Sequence, residues 1–367
     1  MLDVLIVAGA RPNFMKVKPV LDAVEDLGLS TLLVHTGQHY DAQMSDVFFT
    51  ELGLRPPDRS LEVGSGSHAI QTAAVMTAME ALIDEVSPRA VAVVGDVNST
   101  VAAAIVAAKA GCIVAHVEAG LRSRDWAMPE EINRVVTDRV SDLLLAPSPD
   151  AVENLRGEGY RDDQAVLVGN VMVDTLFTNL DRALERPVVA DLGLEPGGYV
   201  LVTLHRPANV DDDAVLADLV HILNEVATDL PVVFPAHPRT LARLGAQSMS
   251  ERIHLLEPQG YLDFVALQAG AACVLTDSGG IQEETTVLGV PCLTLRDNTE
   301  RPTTISEGTN RLVGRAPATV LGAYHGVRAN PPVARRPALW DGKAGLRCAE
   351  AIATVLADPT WRRPTSL

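Results

Sequence analysis

The sequence predicts an α/β protein made of two doubly wound, Rossmann-like parallel sheets, one after the other. Three observations carry this. Short apolar runs of Val, Ala, Leu and Ile alternate with amphipathic stretches along the whole chain. The runs are apolar at every position rather than at every second one, as in strands covered by helices on both faces. The alternation restarts after Val166-Leu167-Val168-Gly169, and 367 residues suffice for two domains of ordinary size.

Val4-Leu5-Ile6-Val7 is the first strand, followed by Gly9-Ala10-Arg11-Pro12 and a helix with Val17, Val20, Leu21 and Val24 on one face. Thr31 to Val34 is the second strand and runs into Thr36-Gly37-Gln38-His39-Tyr40-Asp41. A helix over 68–86 precedes the strand Ala90 to Val94, which ends in Gly95-Asp96-Val97-Asn98 and an Ala-rich helix. Strand Ile113 to Val117 leads into Glu118-Ala119-Gly120-Leu121-Arg122, and a helix opens near Glu130. Leu143 to Leu145 and Val166 to Val168 close the first half, so the domains are placed at 1–169 and 170–351.

In the second half, Val200 to Leu204 ends in His205-Arg206-Pro207-Ala208-Asn209, and Pro231 to Phe234 ends in Pro235-Ala236-His237-Pro238. Ile253 to Leu256 leads to Pro258-Gln259-Gly260-Tyr261. Val274-Leu275-Thr276 then gives way to Asp277-Ser278-Gly279-Gly280, with a helix predicted from about Ile281. Cys292 to Leu295 is followed by a polar stretch, read as a loop from Arg296 to Gly314. A last helix spans about Gly345 to Leu356, and the pattern alone leaves open which half it covers.

A formal charge of −17 argues against a general nucleic-acid or anionic-membrane surface. Cys112, Cys273, Cys292 and Cys348 show no metal-ligand spacing, and three sit in apolar runs, as small core residues in a reducing compartment do. The N-terminus lacks a cationic region, and its first apolar run reads as a strand rather than a signal peptide. The most apolar segment, 100–117, is interrupted by Lys109 and Gly111, too short for a membrane span. A cytoplasmic protein is expected.

Unusual polar residues fall at the carboxyl ends of the predicted strands: Arg11, Gln38 with His39, Asp96, Glu118, His205, His237, and Asp277 with Ser278. Open parallel sheets bind ligands outside those ends. Two such sheets facing each other would aim all seven clusters into one cleft. Ser278-Gly279-Gly280 lets backbone N–H groups approach a phosphate at a helix N-terminus, and Glu284 stands one turn further on, where a carboxylate can accept from ribose hydroxyls. By itself the turn is equally an ordinary strand-to-helix connection with Asp277 or Ser278 as cap. Arg11, Lys16 and Arg301 are candidate cations for a diphosphate.

Asp96, Glu118 and Glu130 are candidate proton-transfer carboxylates, since gathered acids raise one another's pKa. Glu130 and Glu131 equally suit the dipole of a helix start. His205 stands where it would orient or neutralise a leaving phosphate, or serve only structure. No Gly-x-Gly-x-x-Gly follows the first strand, and no Walker lysine, nucleophile elbow or metal signature is present, so chemistry without NAD, ATP, a serine nucleophile or a metal is expected.

Taken in order, Gly9 to Pro12, Thr36 to Asp41, Gly95-Asp96, His116 to Arg122, Pro129-Glu130-Glu131-Ile132-Asn133-Arg134, His205-Arg206, Asp277 to Glu284 and Thr299 to Pro302 strongly resemble the non-hydrolysing UDP-N-acetylglucosamine 2-epimerases. The resemblance covers nearly the whole chain. It implies the GT-B arrangement of two Rossmann-like domains, a C-terminal helix at about 352–367 returning to the first domain, and a homodimer. It also implies reversible conversion of UDP-N-acetylglucosamine to UDP-N-acetylmannosamine, precursors of polysaccharides, through loss and re-addition of UDP and with no cofactor. Asp96, Glu118 and Glu130 then correspond to the acid/base carboxylates and His205 to a histidine at the diphosphate. Arg11, Lys16, Gln259, Phe264, Ser278, Gly279, Gly280, Glu284 and Arg301 correspond to UDP contacts.

Some bacterial members of the family also bind an activating UDP-N-acetylglucosamine at a second site, which maps here to Gln38, His39, Gln43, Arg206 and His237. Many members continue His-Arg with Arg-Glu-Asn, whereas this chain has Pro207-Ala208-Asn209, which removes two charges beside that site. Within the fold, the runner-up readings are a UDP-sugar glycosyltransferase and a hydrolysing 2-epimerase. A non-catalytic UDP-sugar-binding regulator is the alternative of another class, and the three carboxylates argue against it.

Overall fold

The computed structural model describes residues 2–9, 11–37, 50–236, 238–244, 247–333, 335–358 and 361. Contacts divide the chain into unit 1, Met1–Thr175 with Ala338–Leu367, and unit 2, Leu176–Pro337. The sequence reading put the boundary at Gly169 and returned only the last helix to the first half; here the return begins at Ala338.

Unit 1 contains β1 (Val4–Ala8), α1 (Arg11–Asp26), β2 (Thr31–His35), β3 (Arg59–Ser60), α2 (His68–Val86), β4 (Ala90–Val94) and α3 (Asn98–Lys109), followed by β5 (Ile113–Val117), α4 (Pro129–Val140), β6 (Leu143–Ala146), α5 (Pro149–Gly157) and β7 (Ala165–Leu167). All strand pairs are parallel, in the order β3-β2-β1-β4-β5-β6-β7. The central strands carry the core: every residue of β1 and β4 is buried. Ala102, Ala103, Ala104 and Ala107 of α3 are fully buried, so small side chains let this helix lie close to its neighbours. The two-residue exposed β3 was not expected, because Arg59-Ser60 has no apolar signal and pairs only at the sheet edge.

The final helix, Ala344–Ala357, packs on α1, where a Cβ on Gly345 would stand 2.3 Å from the Pro19 carbonyl oxygen. Asp174 Oδ2 caps this helix by accepting from Gly345 N at 2.7 Å.

The boundary at Thr175 falls inside α6 (Val171–Leu184). Unit 2 continues with α7 (Val188–Asp191), β8 (Val200–Thr203), α8 (Pro207–Val210), α9 (Asp213–Asp229), β9 (Val232–Pro235), α10 (Pro238–Leu244) and β10 (Ile253–Leu256). Then come α11 (Tyr261–Ala269), β11 (Cys273–Thr276), α12 (Gly279–Leu288), β12 (Cys292–Thr294), α13 (Thr303–Ser306), β13 (Asn310–Leu312) and α14 (Pro317–Ala329). Its six parallel strands run β10-β9-β8-β11-β12-β13. The stretch read as a loop, 296–314, contains α13 and β13; Asn310 and Arg311 hide the strand because they sit at the sheet edge, paired only with β12. Helix α12 begins at Gly279, two residues before the predicted start.

Both sheets reverse their strand order between a first and a fourth strand, at β1/β4 in unit 1 and β8/β11 in unit 2. Ligands bind outside the carboxyl ends of open parallel sheets at such points. No helix among the described residues is long and apolar enough to cross a membrane.

Candidate functional site

In unit 1 the switch point brings together the turns after β1, β4 and β5. Gly95, with φ +72°, follows β4; a Cβ there would lie 3.5 Å from both Lys16 Nζ and Glu118 Oε2. That φ is what favours glycine there, and beside it Lys16 Nζ donates to Glu118 Oε2 at 2.5 Å. Glu118 adopts φ +70°, a left-handed conformation that is strained for a residue with a Cβ. It is 5% exposed, and its Oε1 accepts no hydrogen bond from any described residue. A buried carboxylate oxygen without a donor is costly, and such an atom points to a role beyond packing.

Asp96 faces Arg134, whose Nη2 lies 2.5 Å from its Oδ2. Arg134 Nη1 in turn pairs with Glu131, whose carboxylate also accepts from Ser123 N, Ser123 Oγ and Arg124 N. Burial pushes the Glu131 carboxyl up, but these donors hold it below the usual carboxylate range. Below this layer, the ring nitrogens of His116 meet Asp138 Oδ1 at 2.6 Å and the Gly95 carbonyl at 2.8 Å. Arg122 completes the cluster by pairing with Asp138 and Glu158. His116 thus ties the Gly95-Asp96 turn to the protein interior. A hollow of about 560 Å³ opens beside α2 and α4, but its lining is largely apolar and offers little to a diphosphate.

In unit 2, Asp277 follows β11 and is fully buried. Its Oδ2 accepts from Arg206 N and Asn209 Nδ2, each at 2.9 Å, and its Oδ1 lies 2.9 Å from His205 Nδ1. Burial pushes this carboxyl up, and the contacts with His205, Asn209 and Arg206 bring it below the usual range. Ser278 stands at the N-cap of α12 but makes no side-chain cap bond, and the helix has no acid in its first turn. Helix N-termini of this kind carry N–H donors without intrahelical partners, which suit an anion. A Cβ on Gly279 would stand 2.5 Å from Arg301 Nη1 and 2.7 Å from Glu300 Oε1, so a paired guanidinium and carboxylate lie directly on that turn. Arg301 is held there by Glu283, at 2.8 Å from its Nε, and by Glu300, which also takes Arg296.

Glu284, 3% exposed, lies on the same helix. Gln268 Nε2 donates to its Oε2 at 2.6 Å, and the Tyr261 hydroxyl lies 3.4 Å from its Oε1. Burial raises its pKa to about 7, with Glu283 adding to the rise and Gln268 and Tyr261 opposing it. Gln259 donates from Nε2 to the Glu257 carbonyl, and half-buried Phe264 packs on the core beneath α11.

The expected residues therefore fall into two sets: Lys16, Asp96 and Glu118 in unit 1, and His205, Ser278, Gly279, Gly280, Glu284 and Arg301 in unit 2. The expected mutual repulsion of carboxylates is not the arrangement seen, since Asp96 and Glu118 each face a cation. Glu130 is exposed at the start of α4, and its buried neighbour Glu131 carries the hydrogen bonds. Arg206 donates from Nε to the Asp277 carbonyl. Gln38, His39, Gln43 and His237 lie outside the described residues, as does the side chain of Arg11. The sequence reading gave Glu131 only a place at the helix dipole, and Arg134, Asp138, Tyr261 and Gln268 no role. Their only signal was helical spacing toward a buried face, which core residues share. Among the described residues, no group of three or more His, Cys, Asp or Glu side chains could hold a metal ion.

The family model described as UDP-N-acetylglucosamine 2-epimerase matches residues 22–353. The chain belongs to the UDP-N-acetylglucosamine 2-epimerase family. Its relatives include the UDP-N-acetylglucosamine 2-epimerase of Methanocaldococcus jannaschii, 42% identical over 325 residues, or 84% of this chain and 87% of that one. The UDP-2,3-diacetamido-2,3-dideoxy-D-glucuronate 2-epimerase of Pseudomonas aeruginosa is also 42% identical, over 86% of this chain and 89% of its own. The crystal structure of the M. jannaschii UDP-GlcNAc 2-epimerase in complex with UDP-GlcNAc and UDP superposes with a TM-score of 0.89 at 39% identity, covering 96% of this chain and all of that one.

Proposed function

We propose that the protein interconverts UDP-N-acetylglucosamine and UDP-N-acetylmannosamine by inverting C2, and that it does not hydrolyse the product. Inversion without a redox step requires breaking the C2–H bond, whose proton is only weakly acidic. Loss of UDP from C1 solves this. The C1–O bond breaks with its electron pair going to the diphosphate, the C2 proton goes to a carboxylate, and a C1=C2 double bond forms. Proton return from the other face and re-addition of UDP complete the epimerisation. Unit 2 supplies the UDP contacts: Ser278 to Gly280, Arg301 and His205 at the diphosphate, Glu284 at the ribose, with Gln259 and Phe264, stabilising the charge as it leaves. Asp96, Glu118 and Glu130 supply the proton transfers. Arg11 joins the diphosphate contacts, and Lys16 lies between the two roles as the partner of Glu118.

The observation that carries this reading is the buried Glu118, strained at φ +70° beside Lys16 with one oxygen left without a donor. The UDP-GlcNAc and UDP bound in the M. jannaschii relative support the substrate class. The equal identity to the diacetamido-glucuronate epimerase supports a second substrate reading. Incubation with each nucleotide sugar in D2O, followed by NMR of the anomeric and C2 positions, tests both. Epimer formation with deuterium at C2, and slow leakage of UDP with the 2-acetamidoglucal, is expected from UDP-N-acetylglucosamine. Full retention of the C2 hydrogen would rule out elimination. Free N-acetylmannosamine as the product would assign hydrolysis instead, and binding without turnover a regulator.

A further inference from the structure

We infer that Asp277 is the positioning residue for His205, fixing the imidazole with Nδ1–H turned into the protein and Nε2 turned toward the ligand. The functional half of this inference rests on the diphosphate role proposed for His205. The geometric half does not.

The two residues straddle the switch point of unit 2. β8 and β11 are neighbours, with Thr203 paired to Thr276. His205 lies two residues past the first strand and Asp277 one past the second. The His205 side chain is 60% exposed, and its ring forms an ion-pair contact with Asp277, whose Oδ1 lies 2.9 Å from Nδ1. An ionised carboxylate only accepts, so Nδ1 must carry the proton. Nε2 is then the atom left for a ligand, an acceptor when the ring is neutral and a charged donor when it is protonated. Asp277 also accepts from His205 N and Arg206 N, so ring and loop are held to the residue that precedes the Ser278-Gly279-Gly280 turn. One buried carboxylate thereby aligns the histidine and the helix N-terminus toward a common anion.

The Asp277→Asn variant reverses the tautomer while keeping the shape. Oδ2 receives Arg206 N and Asn209 Nδ2, so the amide oxygen of an asparagine must take that place. Its NH2 group then occupies the Oδ1 position and faces His205 Nδ1, which has to become an acceptor, and the proton moves to Nε2.

The test uses full-length protein with 15N-labelled histidine, without nucleotide and at a pH where the ring is neutral, with His205→Gln assigning the signal. Wild type should show Nδ1–H, the minor tautomer of free histidine, and Asp277→Asn should show Nε2–H. A second arm measures kcat and KM for UDP-N-acetylglucosamine in both single variants and the double variant. Asp277→Asn should lower kcat/KM by about tenfold or more, as expected for a misdirected charged hydrogen bond. The double variant should be no worse than His205→Gln, because Asp277 acts through the ring. Nε2–H in wild type, an unchanged tautomer in Asp277→Asn, or additive losses would each overturn the inference. Should Asp277→Asn fail to fold, the wild-type spectrum decides alone. Absence of turnover in wild type would reject the proposed function and leave the spectroscopic test standing.

Discussion

Replacing Glu284 by Gln removes one titratable group from the interior of unit 2 and keeps its size. The native carboxyl titrates at about 7 against an ordinary value of 4.5. Between these pH values the native state holds a proton that the unfolded chain has released, so stability falls as pH rises through the window. The cost is absent below 4.5 and complete above about 7, and it amounts to about 3 kcal/mol at ~1.4 kcal/mol per tenfold change in proton affinity. Gln bears no such cost. Gln268 is suited to receive it, because its Oε1 is buried without a hydrogen-bond partner among the described residues and can accept from the new amide after a flip. Glu284→Gln should therefore stabilise unit 2 above pH 7 by up to about 3 kcal/mol, with the gain shrinking to nothing toward pH 4.5. The same variant should weaken UDP binding by about 1.5–3 kcal/mol, since the proposed ribose hydroxyls lose a charged acceptor. Urea unfolding across the pH range, followed by far-ultraviolet circular dichroism, measures the first effect. Trp126, Trp340 and Trp361 all lie in unit 1, so their fluorescence serves as an internal control. Calorimetry with UDP measures the second. A stability difference independent of pH would refute the assignment of the buried charge, and unchanged UDP affinity would refute the ribose role.

Gly279→Ala sets a Cβ 2.5 Å from Arg301 Nη1, so the guanidinium must move; UDP affinity should fall by about tenfold or more with little change in the melting of unit 1. Glu118→Gln removes the titratable partner of Lys16 and should cut kcat by about a hundredfold or more, with UDP affinity in calorimetry near normal. Because Pro207 and Ala208 carry no charge, the reaction from UDP-N-acetylmannosamine should start without added UDP-N-acetylglucosamine; a long lag abolished by a trace of it would show a working second site.

The strand-end rule made most of the candidate site legible, because a buried parallel strand announces itself by an unbroken apolar run and its first polar residue marks the carboxyl end. Asp96, Glu118, His205 and Asp277 were all found this way. What could not be read was how each is used. Glu130 and Glu131 are the same residue type at adjacent positions, and only the helix phase decides that Glu131 is buried under Ser123 and Arg124 while Glu130 is exposed. The positive φ of Glu118 was hidden for a related reason, since Glu carries no conformational signature of the kind that Gly95 does. β13 and α13 were missed because Asn310 binds Thr294 and Gln282 through its side chain, so a buried position is filled by a polar residue. Asp277 was legible as a polar strand end, but whether it faced a ligand or the protein depended on the 205–209 loop, 68 to 72 positions away in sequence.

The two sheets share one strand order yet treat the position after their fourth strand in opposite ways, and this divides the labour between them. After β4 stands Gly95, which contributes no side chain, and the space beside it is filled by the Lys16–Glu118 pair. After β11 stands Asp277, whose carboxylate is saturated by donors from the β8 loop. A saturated carboxylate holds its surroundings in place and has little capacity left for a proton. Glu118 has one oxygen lacking a donor among the described residues, and burying that oxygen carries a desolvation cost. Local rules of satisfaction and backbone comfort are broken together at Glu118, the residue proposed for the chemistry, while Asp277 obeys the first of them. The proposed division, with proton transfer in unit 1 and anion alignment in unit 2, rests on that contrast. It also predicts that Asp277→Ala, which removes every side-chain acceptor offered to the β8 loop, should loosen the 205–209 loop and leave unit 1 unchanged. Hydrogen exchange at the amides of Arg206 and Asn209 reads that loosening directly, and unchanged protection in Asp277→Ala would break the argument.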